Sequence, residues 1–283
     1  MCKLKLYNMK TEIFQNVVIY NSQLIEKSDI NFNTFDDGNI VYEIIRVVNG
    51  IPLFLEDHLM RLYYSANIAG FNIGITTSEI MNSIKHLSIE NQSLNGNVKI
   101  LFHYNKNSNL SFLFYFIKHS YPNEVQYRHG VKVALHSAER KTPNAKIIDD
   151  SFRNTTNEII LKEKIYELLL VNKNGLITEG SKSNVFFIKD NTLITAPIRM
   201  VLPGITRKFI LKIAQLYKIN IIEECVHQND IDKYDAAFIS GTSPKVLAIS
   251  SIIDVKYNVN NPLIKMLTKG YNEEIENYIY DAS

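Results

Sequence analysis

The chain has 283 residues, enough for one large domain or two of moderate size, and its 46% hydrophobic and 21% charged residues suit a globular protein with a substantial core. Lys and Arg number 31 against 29 Asp and Glu, a formal net charge of +2 without the basic stripe that a nucleic-acid or anionic-membrane partner requires. The two cysteines, Cys2 and Cys225, make no disulfide framework or redox motif, and the seven histidines form no paired metal-ligand motif.

The opening Met1–Lys10 lacks the long apolar core of a signal peptide, and no apolar run approaches the ~20 residues of a membrane span. A reducing cytoplasm is the expected location.

In chain order, Val17–Tyr20 is a short strand candidate and Val41–Val48 a stronger one. Asn49-Gly50 supplies the left-handed conformations of a tight hairpin, with Ile51–Leu55 expected to return. Leu59, Leu62, Tyr63, Ala66 and Ala69 recur at helical spacing from Asp57 to a stop at Gly70. A second helix is expected over Ser78–Leu87. Strands follow at Val98–Tyr104 and Leu110–Ile117, joined by a polar turn. The pattern breaks at Ser120–Asn123, and the chain is divided there into an N-terminal domain, 1–121, and a C-terminal domain, 122–283.

The second half opens with a strand at Val131–His136, a helical stretch within Ile147–Ile165 and a strand at Tyr166–Val171. Asn174-Gly175 turns the chain into Leu176–Thr178, and Val185–Ile188 pairs with Leu193–Thr195 around Asp190-Asn191. The helix after Pro203-Gly204 carries Phe209, Ile210, Ile213, Ala214 and Tyr217 on one side. Ile219–Glu223 and Ala236–Ile239 read as strands, and a helix near Ile264–Tyr280 closes the chain. The sum is two α/β lobes rich in hairpins, not a doubly wound sheet.

Four segments in the second half carry candidate chemistry: Asn144–Lys146, Ile177–Phe186, Leu202–Arg207 and Ser240–Ser243. A Schiff-base lysine must be partly desolvated to present a free amine. Lys146, flanked by Ala145 and Ile147-Ile148, has an apolar setting, whereas Lys141 sits between Arg140 and Thr142. Glu179 at a strand end could keep a pyridine nitrogen protonated, which makes the ring a better electron sink. Ile205 and Thr206 begin a helix, where backbone N–H groups and the macrodipole favour an anion. Ser240, Gly241 and Thr242 add hydroxyls and a flexible backbone suited to phosphate oxygens. Arg61 could supply a cation. Each signal alone has an ordinary structural explanation; their order gives them weight.

With the N-terminal segments Tyr42–Arg46, Asn49-Gly50 and His58–Leu62, the chain resembles the class IV (fold type IV) aminotransferases that depend on pyridoxal phosphate (PLP). That family includes branched-chain and D-amino-acid aminotransferases and aminodeoxychorismate lyase. The resemblance runs from about Tyr42 to Thr242. It implies a smaller N-terminal α/β lobe, a larger barrel-like C-terminal lobe and a homodimer. It further implies that Lys146, 33 positions before Glu179, forms the Schiff base with PLP; Lys141 stands 38 before it. Glu179 would pair with the pyridine nitrogen, and Arg61, Ile205, Thr206, Gly241 and Thr242 would hold the phosphate. Where some relatives place an aromatic hydroxyl after the lysine, this chain has Ser151 and Phe152, so no residue is assigned to the ring oxygen.

Strand alternation puts Tyr42, Ile44 and Arg46 on one face. Tyr42 and Arg46 are candidates for binding a substrate carboxylate. Arg46 could equally serve a surface salt bridge, and Phe35 either lines an apolar pocket or packs in the core. Lys99 and His103 are the only cationic candidates on the strand where some relatives carry a carboxylate-binding arginine, which disfavours a D-amino-acid enzyme. The expected activity is transfer of an amino group between an amino acid, with branched-chain substrates favoured, and a 2-keto acid. The alternative is a lyase releasing 4-aminobenzoate and pyruvate. A binding protein that keeps the fold without catalysis is the reading from another class.

Overall fold

The computed structural model describes residues 9–118 and 120–282, so Cys2 and most of the opening segment lie outside the described residues. The chain divides into two compact units. One comprises Met1–Ser120 with Ala145–Asp150 and Asn277–Ser283; the other comprises Tyr121–Asn144 and Ser151–Glu276.

The first unit is built on six strands: β1 (Val17–Tyr20), β2 (Gln23–Glu26), β3 (Asn39–Val48), β4 (Ile51–Pro52), β5 (Gly96–Tyr104) and β6 (Leu110–Ile117). They form one antiparallel sheet of order β2-β1-β6-β5-β3-β4. In β3, Val41, Glu43, Ile45 and Val47 are buried while Tyr42, Ile44, Arg46 and Val48 are half-buried, as period-two alternation requires. Val41, Ile45 and Val47 pack with Leu55, Leu59, Leu62 and Ala66 of helix α1 (Leu55–Ile68) and with Ile80, Ile84 and Leu87 of α2 (Thr77–Glu90). A second cluster, with Phe35, Ile40, Leu101, Leu113 and Tyr115, contains residues of the opposite strand face. A sheet covered on both sides explains why β5 and β6 read as nearly unbroken apolar runs.

Asn49 and Gly50 both have positive φ, 52° and 79°, and turn β3 into β4. The return strand is shorter than the expected Ile51–Leu55. Phe54 takes a left-handed conformation (φ 52°), and α1 begins at Leu55.

The strands of the second unit are β7 (Val131–Ser137), β8 (Glu167–Val171), β9 (Leu176–Gly180), β10 (Asn184–Lys189), β11 (Thr192–Thr195), β12 (Ile221–Glu223), β13 (Val226–His227), β14 (Ala236–Gly241), β15 (Lys245–Ile252) and β16 (Val255–Lys256). They make a large curled half-barrel sheet of order β12-β11-β10-β14-β15-β7-β8-β9-β13, with β16 paired to β15. Pairs β7–β8, β15–β7 and β11–β12 are parallel; the other pairs are antiparallel. A short α3 (Glu124–His129) precedes β7, and the β7–β8 crossover includes α4 (Asp150–Glu163). Helix α5 (Ile205–Leu216) lies between β11 and β12 in the chain, and α6 (Pro262–Ala282) ends it.

Three expectations are corrected in this unit. Strand β9 extends to Gly180, so Glu179 belongs to the strand rather than following it. Tyr217 is 52% exposed at the end of α5, off the packed side that Ile210, Ile213 and Ala214 form. Strand β15 has no counterpart among the expected strands: its serines, Ser250 and Ser251, mask a strand whose Val246–Ile249 run is buried.

Candidate active site

Lys146 is anchored through its backbone. The segment around it lies along β3 by an antiparallel bridge between Val41 and Ile147. The Tyr42 N–H donates to the Lys146 carbonyl at 3.1 Å, and the Ile148 N–H donates to the Ile40 carbonyl at 3.0 Å. The Lys146 N–H donates to Ser65 Oγ at 3.0 Å, and the Ser65 hydroxyl donates to the Arg61 carbonyl one helical turn back at 2.8 Å. The side chain is half-buried, with Nζ 5.0 Å from the centroid of the Tyr42 ring. Lys141 is exposed.

Arg61 is not the exposed helix arginine that its type suggests. It is 8% exposed, and its Nε and a terminal nitrogen each donate to Glu43 at 2.7 Å. Glu43 has no exposed surface and also meets His58 Nδ1 at 2.8 Å. Burial pushes the Glu43 carboxyl up, but the Arg61 charge and the hydrogen bonds from Arg61 and His58 outweigh it and hold the group well below the carboxylate range. Burial lowers the His58 pKa; Glu43 opposes that shift, while the Arg61 and Lys146 charges add to it.

Tyr42 and Arg46 share the half-buried face of β3, with Arg46 opposite Asn97 in register. Phe35 is not a pocket-lining residue. It has no exposed surface and packs in the core, edge-on to Tyr20 and against His103. His103 is also fully buried, with Nε2 against the Asp37 carbonyl.

In the second unit Glu179 is 2% exposed. Its Oε2 accepts from the Leu202 N–H at 3.0 Å, and its Oε1 lies 2.9 Å from Arg140 Nε in an ion pair. Arg140 donates to the Ser181 carbonyl at 2.6 Å, and its guanidinium carbon lies 5.0 Å from the Phe152 ring centroid. The turn after Glu179 is held by buried Glu167, which accepts from the hydroxyls of Ser181 and Ser183 and from the Lys182 N–H.

Helix α5 starts at Gly204 with no side-chain cap. Asn184 Nδ2 donates to the Leu202 carbonyl at 3.0 Å, and a Cβ at Gly204 would collide with the Asn184 side chain. Ile205 and Thr206 are buried, and Thr206 Oγ1 lies 3.1 Å from the Tyr271 hydroxyl. At the end of β14, Gly241 and Thr242 are half-buried, and Ser240 Oγ is buried without a hydrogen-bond partner among the described residues.

The donor set fits PLP. A buried carboxylate suits a protonated ring nitrogen, while an uncapped helix start and an orphaned buried hydroxyl suit an anion. Among the described residues no cluster of His, Cys, Asp and Glu could hold a metal ion, and no helix is long and apolar enough to cross a membrane.

Sequence reasoning does not single out Ser65, Glu43, His58 or Arg140. A signal exists for three of them. His58, Arg61 and Ser65 recur at helical spacing beside the apolar stripe of α1, and Glu43 sits among the apolar positions of β3.

Residues 40–252 match the family model for amino-transferase class IV. The chain is 28% identical over 259 residues to a D-alanine aminotransferase of Bacillus licheniformis, covering 83% of this chain and 88% of that protein. Its fold matches a T.th. branched-chain amino acid aminotransferase with pyridoxamine 5'-phosphate, with a TM-score of 0.82, 20% identity, and 94% and 96% of the two chains covered. It also matches a putative 4-amino-4-deoxychorismate lyase from Legionella pneumophila, with a TM-score of 0.77, 22% identity, and 84% and 91% covered. The chain therefore belongs to the amino-transferase class IV family of PLP-dependent enzymes.

Proposed function

We propose that this chain binds PLP through Lys146 and moves an amino group between an amino acid and a 2-keto acid. The observation that carries the reading is the lysine's setting: a fixed backbone, a half-buried side chain and an amine against the Tyr42 ring. When bound, PLP would supply a carbonyl carbon for the incoming amine and a ring that accepts electron density. Lys146 Nζ would take the substrate α-proton as general base and hand it on to the cofactor carbon within the same half-reaction, then run the transfer in reverse for the incoming 2-keto acid. Glu179 would hold the proton on the ring nitrogen. Arg61, Ile205, Thr206, Gly241 and Thr242 would hold the phosphate, with Glu43 fixing the Arg61 fork. Tyr42 and Arg46 would orient the substrate carboxylate.

An uncharged amino acid is the favoured donor. Similarity to D-alanine and branched-chain aminotransferases supports alanine and branched-chain amino acids as donors, so the test is a panel of L- and D-alanine, leucine and valine, each with a monocarboxylic 2-keto acid other than its own product as acceptor. Product keto acid that depends on PLP is expected from at least one donor. Turnover of none would contradict the reading. The lyase alternative is favoured by the likeness to the Legionella protein, and pyruvate released from aminodeoxychorismate without added keto acid would establish it in place of transamination. A homodimer belongs to the same proposal and is read by light scattering.

A further inference from the structure

A buried lysine approaches the same Tyr42 ring as the half-buried Lys146, on the Tyr42 side of the six-stranded sheet. Lys99 of β5 lies opposite Ile44 of β3 and Tyr115 of β6 in register and is 6% exposed. Its Nζ is 4.9 Å from the centroid of the same Tyr42 ring that Lys146 approaches at 5.0 Å. Its carboxylate partner comes from within the chain. Lys99 Nζ donates to Glu12 Oε2 at 2.6 Å, and the Tyr115 hydroxyl donates to the same oxygen at 3.0 Å. The cation is fixed on the sheet, while the anion sits on the helical turn at 9–12 with its side chain 32% exposed.

We infer that Glu12 occupies the place of a substrate's second carboxylate, so that Lys99 is neutralised and the enzyme turns away from dicarboxylic amino acids. The inference rests on Lys146 as the reacting amine, as proposed above, and deepens that reading by assigning a residue to substrate choice. A buried ammonium needs a compensating charge. An incoming carboxylate could reach it only by displacing Glu12, which is tethered and therefore present at high effective concentration. Once displaced, Glu12 would sit as a like charge beside the newcomer. With a neutral side chain at position 12, an arriving carboxylate would instead gain a charge-assisted hydrogen bond from Lys99.

The experiment compares wild type with Glu12→Gln, which keeps an acceptor for the Tyr115 hydroxyl. The readout is the ratio of kcat/KM for aspartate and glutamate to that for alanine and leucine, with both enantiomers of each. The ratio is expected to rise about tenfold or more, equivalent to ~1.4 kcal/mol. It should fall back in Glu12→Gln/Lys99→Met. Glutarate titrated calorimetrically into the holoenzyme should bind Glu12→Gln more tightly than wild type by a similar factor, whether or not the protein turns over. If Glu12→Gln does not fold, Glu12→Asp retracts the carboxylate by one methylene and should show a smaller gain. A folded variant with wild-type ratio and glutarate affinity would overturn the inference, as would a gain that survives Lys99→Met. A wild type that transaminates nothing would defeat the proposed activity instead, while the glutarate measurement would still decide the role of Glu12.

Discussion

The buried Glu43–Arg61–His58 triad is where a single atom matters most. Glu43 has no exposed surface and accepts two hydrogen bonds from Arg61. Glu43→Gln removes the charge that compensates the guanidinium and is expected to destabilise the protein by about 3–5 kcal/mol, read by denaturant unfolding. The pKa directions also set a pH dependence. In the folded state Glu43 is held below its ordinary 4.5 and His58 below its ordinary 6.5, so the unfolded chain takes up each proton first as pH falls. The His58 contribution is therefore lost as pH drops below about 6.5, and the Glu43 contribution below about 4.5. Melting temperature should decline from about pH 7 to about pH 5, and His58→Asn should flatten that part of the curve. An unchanged slope in the variant would assign the decline elsewhere.

Among the elements, the start of α5 combines local sequence with a tertiary demand. Gly204 has an extended conformation that any residue could adopt, so its lack of a side chain is required by Asn184 and not by backbone strain. Gly204→Ala should cost about 1–3 kcal/mol, because Asn184 must leave the Leu202 carbonyl to make room. The same variant should weaken PLP binding, followed by retention of the cofactor during dialysis. Normal stability and normal retention would contradict this reading.

The longer helices and the hairpins at Asn-Gly and Asp-Asn turns are the legible part of the fold. Asn49-Gly50 and Asp190-Asn191 mark their turns because positive φ favours those residue types. Strand β15 is hidden because a short apolar run beside serines carries no period, and its pairing with β14, β7 and β16 defines it. The extent of β9 is likewise set by pairing with β8, which draws Glu179 into the sheet.

At the scale of the whole molecule, family membership is readable from the order of several individually weak segments, and the match over residues 40–252 agrees with it. The supporting contacts are not readable. Ser65 meets the Lys146 backbone across 81 positions of sequence, and Lys99 meets Glu12 across 87. No local pattern encodes such pairs; they exist only once the sheet has brought β3, β5 and α1 together. What the sequence does offer is the type of each partner: a carboxylate at an apolar strand position, or a serine in line with a histidine and an arginine on one helix. The reactive amine is tested by reducing the PLP-loaded protein with borohydride and mapping the labelled peptide. The label is expected on Lys146 and nowhere else; a label on Lys141, or no label after saturation with PLP, would contradict the assignment.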